Sequence, residues 1–98
     1  IISYCIFSDS NRRINKTVQE VEGDILLIPQ ITLAIDTSVG NKPNFSDVGS
    51  PKKAQQNFDS LKKRILSIHG SVDSGVFGSD MQIDSVNDGP VTFFFKIN

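Results

Sequence analysis

Apolar and polar positions change their spacing several times along these 98 residues. Ile2, Tyr4 and Ile6 alternate with their neighbours, which predicts a short strand over 2–8. Residues 9–16 are polar and predict a turn. Thr17-Val18-Gln19-Glu20 carries the Ser/Thr-x-x-Glu spacing of a capping box, so one helical turn is expected there. Gly23 and Asp24 break that turn ahead of an apolar strand over 25–33. Residues 36–50 place Gly40, Pro43 and Gly49 among polar groups and predict a loop. Ala54, Phe58, Leu61, Ile65 and Ile68 then recur at steps of three and four, the stripe of an amphipathic helix. Ser50 suits its N-cap, Pro51 its first position and Gly70 its C-terminal stop. Two further strands, 80–86 and 91–97, are expected on either side of Asn87-Asp88-Gly89-Pro90. In the last one Val91, Phe93, Phe95 and Ile97 share a face. The fold class is α/β, with one main helix and a C-terminal hairpin.

The length fits one domain over 1–98. Ten Lys plus Arg oppose eleven Asp plus Glu, and the net charge of −1 excludes a strongly basic nucleic-acid binder. It leaves room for a basic patch on one face: on a helical wheel Lys52, Lys53, Lys63 and Arg64 fall between about 0° and 120°, away from the apolar stripe near 200°. Cys5 is the single cysteine and His69 the single histidine, which excludes an internal disulfide and a multi-Cys/His metal cluster and suits a reducing compartment. The longest apolar run, Ile25-Leu26-Leu27-Ile28, is far short of the roughly 20 residues that span a bilayer. The first residues form no signal peptide, and the chain opens on Ile inside a strand-like segment, so an upstream portion is expected to be missing.

Candidate chemistry concentrates at two places. Along 25–33 one face is apolar throughout, whereas the other turns polar at Gln30 and Thr32. Two hydrogen-bonding groups at a strand end could line a site, or could simply meet solvent as the strand leaves the sheet. Pro29 cannot donate to a ladder, so it marks an edge, a bulge or an unpaired stretch. The second place is the Asn-Asp-Gly-Pro turn, first of all a hairpin turn, whose Gly89–Pro90 bond could be cis and aim two carbonyls the same way. His69 belongs at a helix end as a cap. An Asp36, Ser38, His69 triad has no support in the spacing, and Cys5 suits a small core position.

At these residues the chain resembles the D-aminoacyl-tRNA deacylases, first described as D-tyrosyl-tRNA deacylases. The matching signatures are Pro29-Gln30-Ile31-Thr32-Leu33 and Asn87-Asp88-Gly89-Pro90-Val91-Thr92. The flanks Tyr4-Cys5-Ile6-Phe7-Ser8-Asp9, Lys42-Pro43-Asn44-Phe45-Ser46 and Gly75-Val76-Phe77-Gly78-Ser79-Asp80-Met81-Gln82 agree in order and spacing. The resemblance implies a barrel-like mixed sheet, a homodimer, a cytoplasmic place and no metal or cofactor. It implies hydrolysis of the ester joining a D-amino acid, or glycine mischarged on tRNA-Ala, to the tRNA 3′ end.

On the same footing Gln30 and Thr32 are the expected catalytic residues, and Ile31, Gly89 and Pro90 the expected substrate-binding ones. The family's Thr has been assigned as nucleophile; alternatively the terminal 2′-OH of the tRNA carries the catalysis, while Gln30 and the backbone of Ile31 and Thr32 position the ester and its oxyanion. Gly89 and Pro90 would enter the partner's site and reject L side chains through backbone atoms. The chain departs from the family in lacking its N-terminal strands and first helix, and in having Pro29 for Ser and Ile31 for Phe. The Pro-Gln-x-Thr-Leu form resembles an animal branch that removes L-alanine from mischarged tRNA through a trans Gly-Pro. A fragment that only dimerises or binds RNA is the remaining alternative.

Overall fold

A computed structural model describes residues 1–46 and 48–97. Its elements, in chain order, are β1 (Phe7–Ser8), β2 (Ile14–Lys16), β3 (Ile25–Leu27), a 3-10 turn (Ile31–Ala34), α1 (Pro51–His69) and β4 (Val72–Ser74). β1 and β2 pair antiparallel, with Phe7 opposite Lys16 and Ser8 opposite Ile14. β3 and β4 pair parallel, from Ile25 beside Val72 to Leu27 beside Ser74. The mixed α/β class and the single main helix are as expected.

α1 forms where its sequence signals place it. The Ser50 hydroxyl accepts from the Lys53 N–H at 3.2 Å, and Pro51 opens the helix. Gly70 ends it at φ +83, a left-handed conformation that glycine adopts without a Cβ penalty. The apolar stripe is only partly covered: Ile65 is buried and Phe58 half-buried, with the Phe58 ring 6.3 Å from Phe77, whereas Leu61 and Ile68 stay exposed.

The capping box forms in both directions. The Thr17 N–H donates to Glu20 Oε1 and the Glu20 N–H to Thr17 Oγ1, each at 3.2 Å. This turn buries Val18 and closes off the far end of α1. Gln19 Nε2 donates to the Ile68 carbonyl at 3.4 Å, His69 Nε2 lies 2.6 Å from the Gly23 carbonyl, and the Ser71 hydroxyl bonds the Asp24 carboxylate. Helix C-termini leave carbonyls unpaired, and one of them finds its donor here. His69 thus ties the helix end to the 17–24 segment through the Gly23 carbonyl, and the helix carbonyl at this end is met by Gln19.

Four expectations change. The strand over 2–8 contracts to β1, and the polar stretch 9–16 contributes β2, because laddering persists only where a facing strand supplies donors and acceptors. The strand expected over 25–33 stops at Leu27: β4 ends at Ser74, and Pro29 has no N–H to extend the ladder. The C-terminal hairpin is not laddered, since among the described residues no backbone hydrogen bond joins 80–86 to 91–97. The two segments have separate neighbours instead. Met81, Gln82, Ile83 and Asp84 run beside Leu26 and Ile28, whereas Phe93 and Phe95 pack edge-on against Tyr4 with ring centroids 5.4 and 4.9 Å away. Among the described residues the strands form two separate pairs.

The chain leaves much apolar surface uncovered. It exposes 8408 Å², against about 5,500 Å² expected of a compact monomer of its 10.8 kDa mass. Val18 and Ile65 are the buried hydrophobic residues among those described, whereas Phe94, Leu33 and Ile97 are 78%, 75% and 91% exposed. Surface of this kind is normally covered by a partner or by further polypeptide.

Two outcomes are expected of this arrangement. Ile65→Ala should lower unfolding free energy by about 2–5 kcal/mol in a denaturant titration, and Leu66→Ala, at 48% exposed, by much less. The Asp9 carboxylate, which accepts the Arg13 N–H at 3.0 Å and the Asn11 N–H at 2.8 Å, is held below its ordinary 3.8 chiefly by the Arg13 bond. A depressed carboxylate stabilises the fold above its unfolded pKa and loses that contribution as pH falls through the folded one. The stability gap between the native chain and Asp9→Asn should thus be open near pH 6 and shrink below about pH 4.

Candidate functional site

Beyond Leu27 the chain loses its ladder partner, and Pro29 leads into the 3-10 turn that begins with Gln30 as N-cap at φ −143, ψ 95. Bonds from the Leu33 N–H to the Gln30 carbonyl and from the Ile35 N–H to the Thr32 carbonyl, both 3.3 Å, close the turn. Ile31 and Thr32 occupy its first positions, where helical geometry provides no intrahelical acceptor. Among the described residues their N–H groups have no backbone or side-chain acceptor.

The turn also brings the two expected catalytic side chains into contact. Gln30 Nε2 donates to Thr32 Oγ1. A hydroxyl oxygen that accepts one bond still has its own proton to donate. Both residues are exposed. Alternation along a strand would also have set them on one face, but the contact arises through the turn.

Gln30 and Ile31 form part of the wall of a cleft of about 410 Å³. Pro29, Pro51, Ala54, Phe77 and Met81 complete most of its apolar lining, with Ser79 and Asp80 at its polar side. Pro51 and Ala54 bring the N-terminal end of α1 to the cleft. The same two wall residues face a second hollow, where Phe94, Phe95, Lys96 and Ile97 come alongside. Gly75 makes the junction close: a Cβ there would lie 2.5 Å from Met81 Sδ and 3.4 Å from Pro29 Cδ. The lining by Phe77, Met81, Pro51 and Ala54 was not singled out from spacing, although Phe77 and Met81 lie in one of the flanks that carry the resemblance.

The remaining candidates disperse. The Gly89–Pro90 peptide, whose isomer sequence leaves open, is cis, and Gly89 has φ +129. Neither residue lines the cleft beside Gln30. The Asp36 carboxylate is engaged locally by the Ser38 hydroxyl at 2.6 Å and the Ser38 N–H at 2.8 Å, which hold it below its ordinary value. His69 is bonded to Gly23 instead, so Asp36, Ser38 and His69 form no triad. Cys5 is a half-buried free thiol. No helix among the described residues is long and apolar enough to cross a membrane.

The family described as D-Tyr-tRNA(Tyr) deacylase matches residues 1–96. The chain belongs to that family. It is 42% identical over 98 residues to a D-aminoacyl-tRNA deacylase of Cellvibrio japonicus, covering all of this chain and 67% of the relative. It is 44% identical over 96 residues to that of Pseudomonas fluorescens, covering 98% of this chain and 66% of the relative. A solved structure named c-Myc DNA Unwinding Element Binding Protein superposes with a TM-score of 0.84 at 29% identity, over 93% of this chain and 62% of the other. The chain thus spans about two-thirds of the length of the relatives it matches.

Substitutions can check the geometry of the wall. Gln30→Ala should free the Thr32 hydroxyl without unfolding the chain, because both side chains are exposed. The loss of a solvent-exposed hydrogen bond should cost at most about 1 kcal/mol in a thermal or denaturant melt.

Proposed function

We propose that this chain acts on D-aminoacyl-tRNA, hydrolysing the ester between the amino acid and the terminal ribose. Water adds to the ester carbonyl, the acyl–oxygen bond breaks, and the proton goes to the ribose oxygen, releasing D-amino acid and tRNA. The observation that carries this reading is the turn at Gln30–Thr32. It joins the amide of one expected residue to the hydroxyl of the other and, among the described residues, leaves the Ile31 and Thr32 N–H groups without acceptors, with Ile31 at the wall of a cleft. Free, fixed donors of this sort suit a developing oxyanion, because they need no reorganisation as charge forms. A relative named D-aminoacyl-tRNA deacylase matches this chain over its full 98 residues, which supports the reading.

In this reading Gln30 and Thr32 position the ester and the attacking group, and Ile31 contributes backbone. Gly89 and Pro90 serve the cleft of a second copy in a cytoplasmic homodimer, rejecting L side chains by backbone contact. Glycine mischarged on tRNA-Ala passes the same filter, since it has no side chain to reject. The uncovered apolar surface favours association of copies. A second reading, favoured by the same surface and by the cations along α1, is a chain that binds its own kind or RNA without turnover.

Single-turnover hydrolysis of D-Tyr-tRNA and L-Tyr-tRNA by this chain separates the two. Cleavage of the D ester alone is the expected result. Equal rates on both esters would remove chiral rejection, and binding without cleavage of either would favour the second reading. Thr32→Ala should slow cleavage of the D ester less than Gly89→Ala erodes the preference for it. A Cβ at Gly89 would lie 3.1 Å from the Val91 nitrogen and Cγ2, at a φ of +129 that L side chains rarely adopt.

A further inference from the structure

Half of the ten cations of this acidic chain lie on α1: Lys52, Lys53, Lys62, Lys63 and Arg64, with Asp59 as the helix's one acid. Lys52, Lys53, Lys63 and Arg64 are exposed and share one face spanning roughly 120° of the helix circumference, opposite the apolar stripe. Neutral donors, Gln56 and Ser60, sit between them on the same exposed face. From Lys52 to Arg64 the row is about 18 Å long.

The placement of Lys52 and Lys53 runs against helix electrostatics. A helix N-terminus is the positive end of its dipole and favours acids in the first turn, yet the first turn of α1 holds none and carries two lysines. Three like signs thus add at one end of the helix. That end is also where Pro51 and Ala54 line the cleft beside Gln30. A violated local rule beside a candidate site points to a ligand, and the ligand that suits a row of four cations is a string of phosphates.

We propose that this face of α1 seats the phosphate backbone of the tRNA, with the strand directed along the helix towards the cleft at its N-terminal end. Lys52, Lys53, Lys63 and Arg64 supply the phosphate contacts, and Gln56 and Ser60 supply hydrogen bonds that fix position without reading sequence. The identity of the RNA rests on the deacylase reading; the affinity for phosphodiester does not.

Unacylated tRNA titrated against the 98-residue chain between 50 and 200 mM salt, followed by fluorescence anisotropy, tests the surface. Four phosphate contacts predict a slope of log K on log[salt] of about −3 to −4, a loss of about 50–150-fold across that range. The variant with Lys52→Gln, Lys53→Gln, Lys63→Gln and Arg64→Gln should weaken binding at 50 mM salt and lose most of that slope. Gln matches Lys and Arg in helix propensity, so helix content by circular dichroism should be unchanged. A control with Arg12→Gln, Arg13→Gln and Lys16→Gln removes three exposed cations from β2 and its approach, and should bind like the parent.

An unchanged slope in the α1 variant, or an equal loss in the control, overturns the proposal. A D-tyrosyl ester of adenosine, which has no backbone to dock, separates the two claims. The α1 variant should cleave it at the parental rate. If the parent fails to cleave it while the four substitutions still abolish tRNA binding, the deacylase reading falls and the docking surface stands.

Discussion

The arrangement depends on three residues of parallel pairing, Ile25 to Leu27 against Val72 to Ser74. Parallel strands cannot be joined by a tight turn; the chain must cross over, and here the crossover contains the candidate turn, the loop and α1. α1, whose buried residue is Ile65, packs against β4. The far end of the crossover is fixed by the 17–24 segment, through Gln19 on Ile68, His69 on Gly23 and Ser71 on Asp24. With the helix anchored at that end, its N-terminus comes to rest beside the end of β3, and the cleft is the space between them.

The shortness of this ladder creates the site. Had β3 continued to Leu33, the N–H groups of Ile31 and Thr32 would be candidates for consumption by a neighbouring strand. Because β4 ends at Ser74 and Pro29 cannot donate, the backbone instead tightens into a 3-10 turn. Among the described residues the Ile31 and Thr32 N–H groups are left without acceptors, with Ile31 at a cleft wall, and Gln30 meets Thr32 within two residues. Groups that would be a cost in a core become usable where a substrate can reach them.

The same economy leaves the surface unfinished. Tyr4 is flanked by Phe93 and Phe95, yet all three remain substantially exposed, and Leu33, Phe94 and Ile97 are more so. A domain of this mass that shows about 8400 Å² has not yet enclosed its apolar residues. The relatives have about half as much chain again, and dimerisation would cover further area. Electrostatics is distributed as unevenly as hydrophobicity. Four of the ten cations share one side of α1, while Asp80, Asp84 and Asp88 lie on the C-terminal stretch.

Local chemistry was legible in the sequence. The capping box at Thr17 and Glu20, the Ser50 cap, Pro51 and Gly70 all act within a few residues, so the sequence determines them and the structure repeats them. The signature residues around Gln30 and Gly89 were equally visible, since their identity and spacing are sequence properties. What ended each strand was not visible. A ladder needs a facing strand, and whether 25–33 or 80–97 finds one depends on where distant segments lie, which periodicity cannot report. Only the tertiary structure decided that Phe77, Met81 and Pro51 line one cleft with Gln30, that His69 bonds Gly23 and not Asp36, and that the basic side of α1 begins at the cleft. These contacts join residues far apart in the chain, and a single parallel crossover set them all.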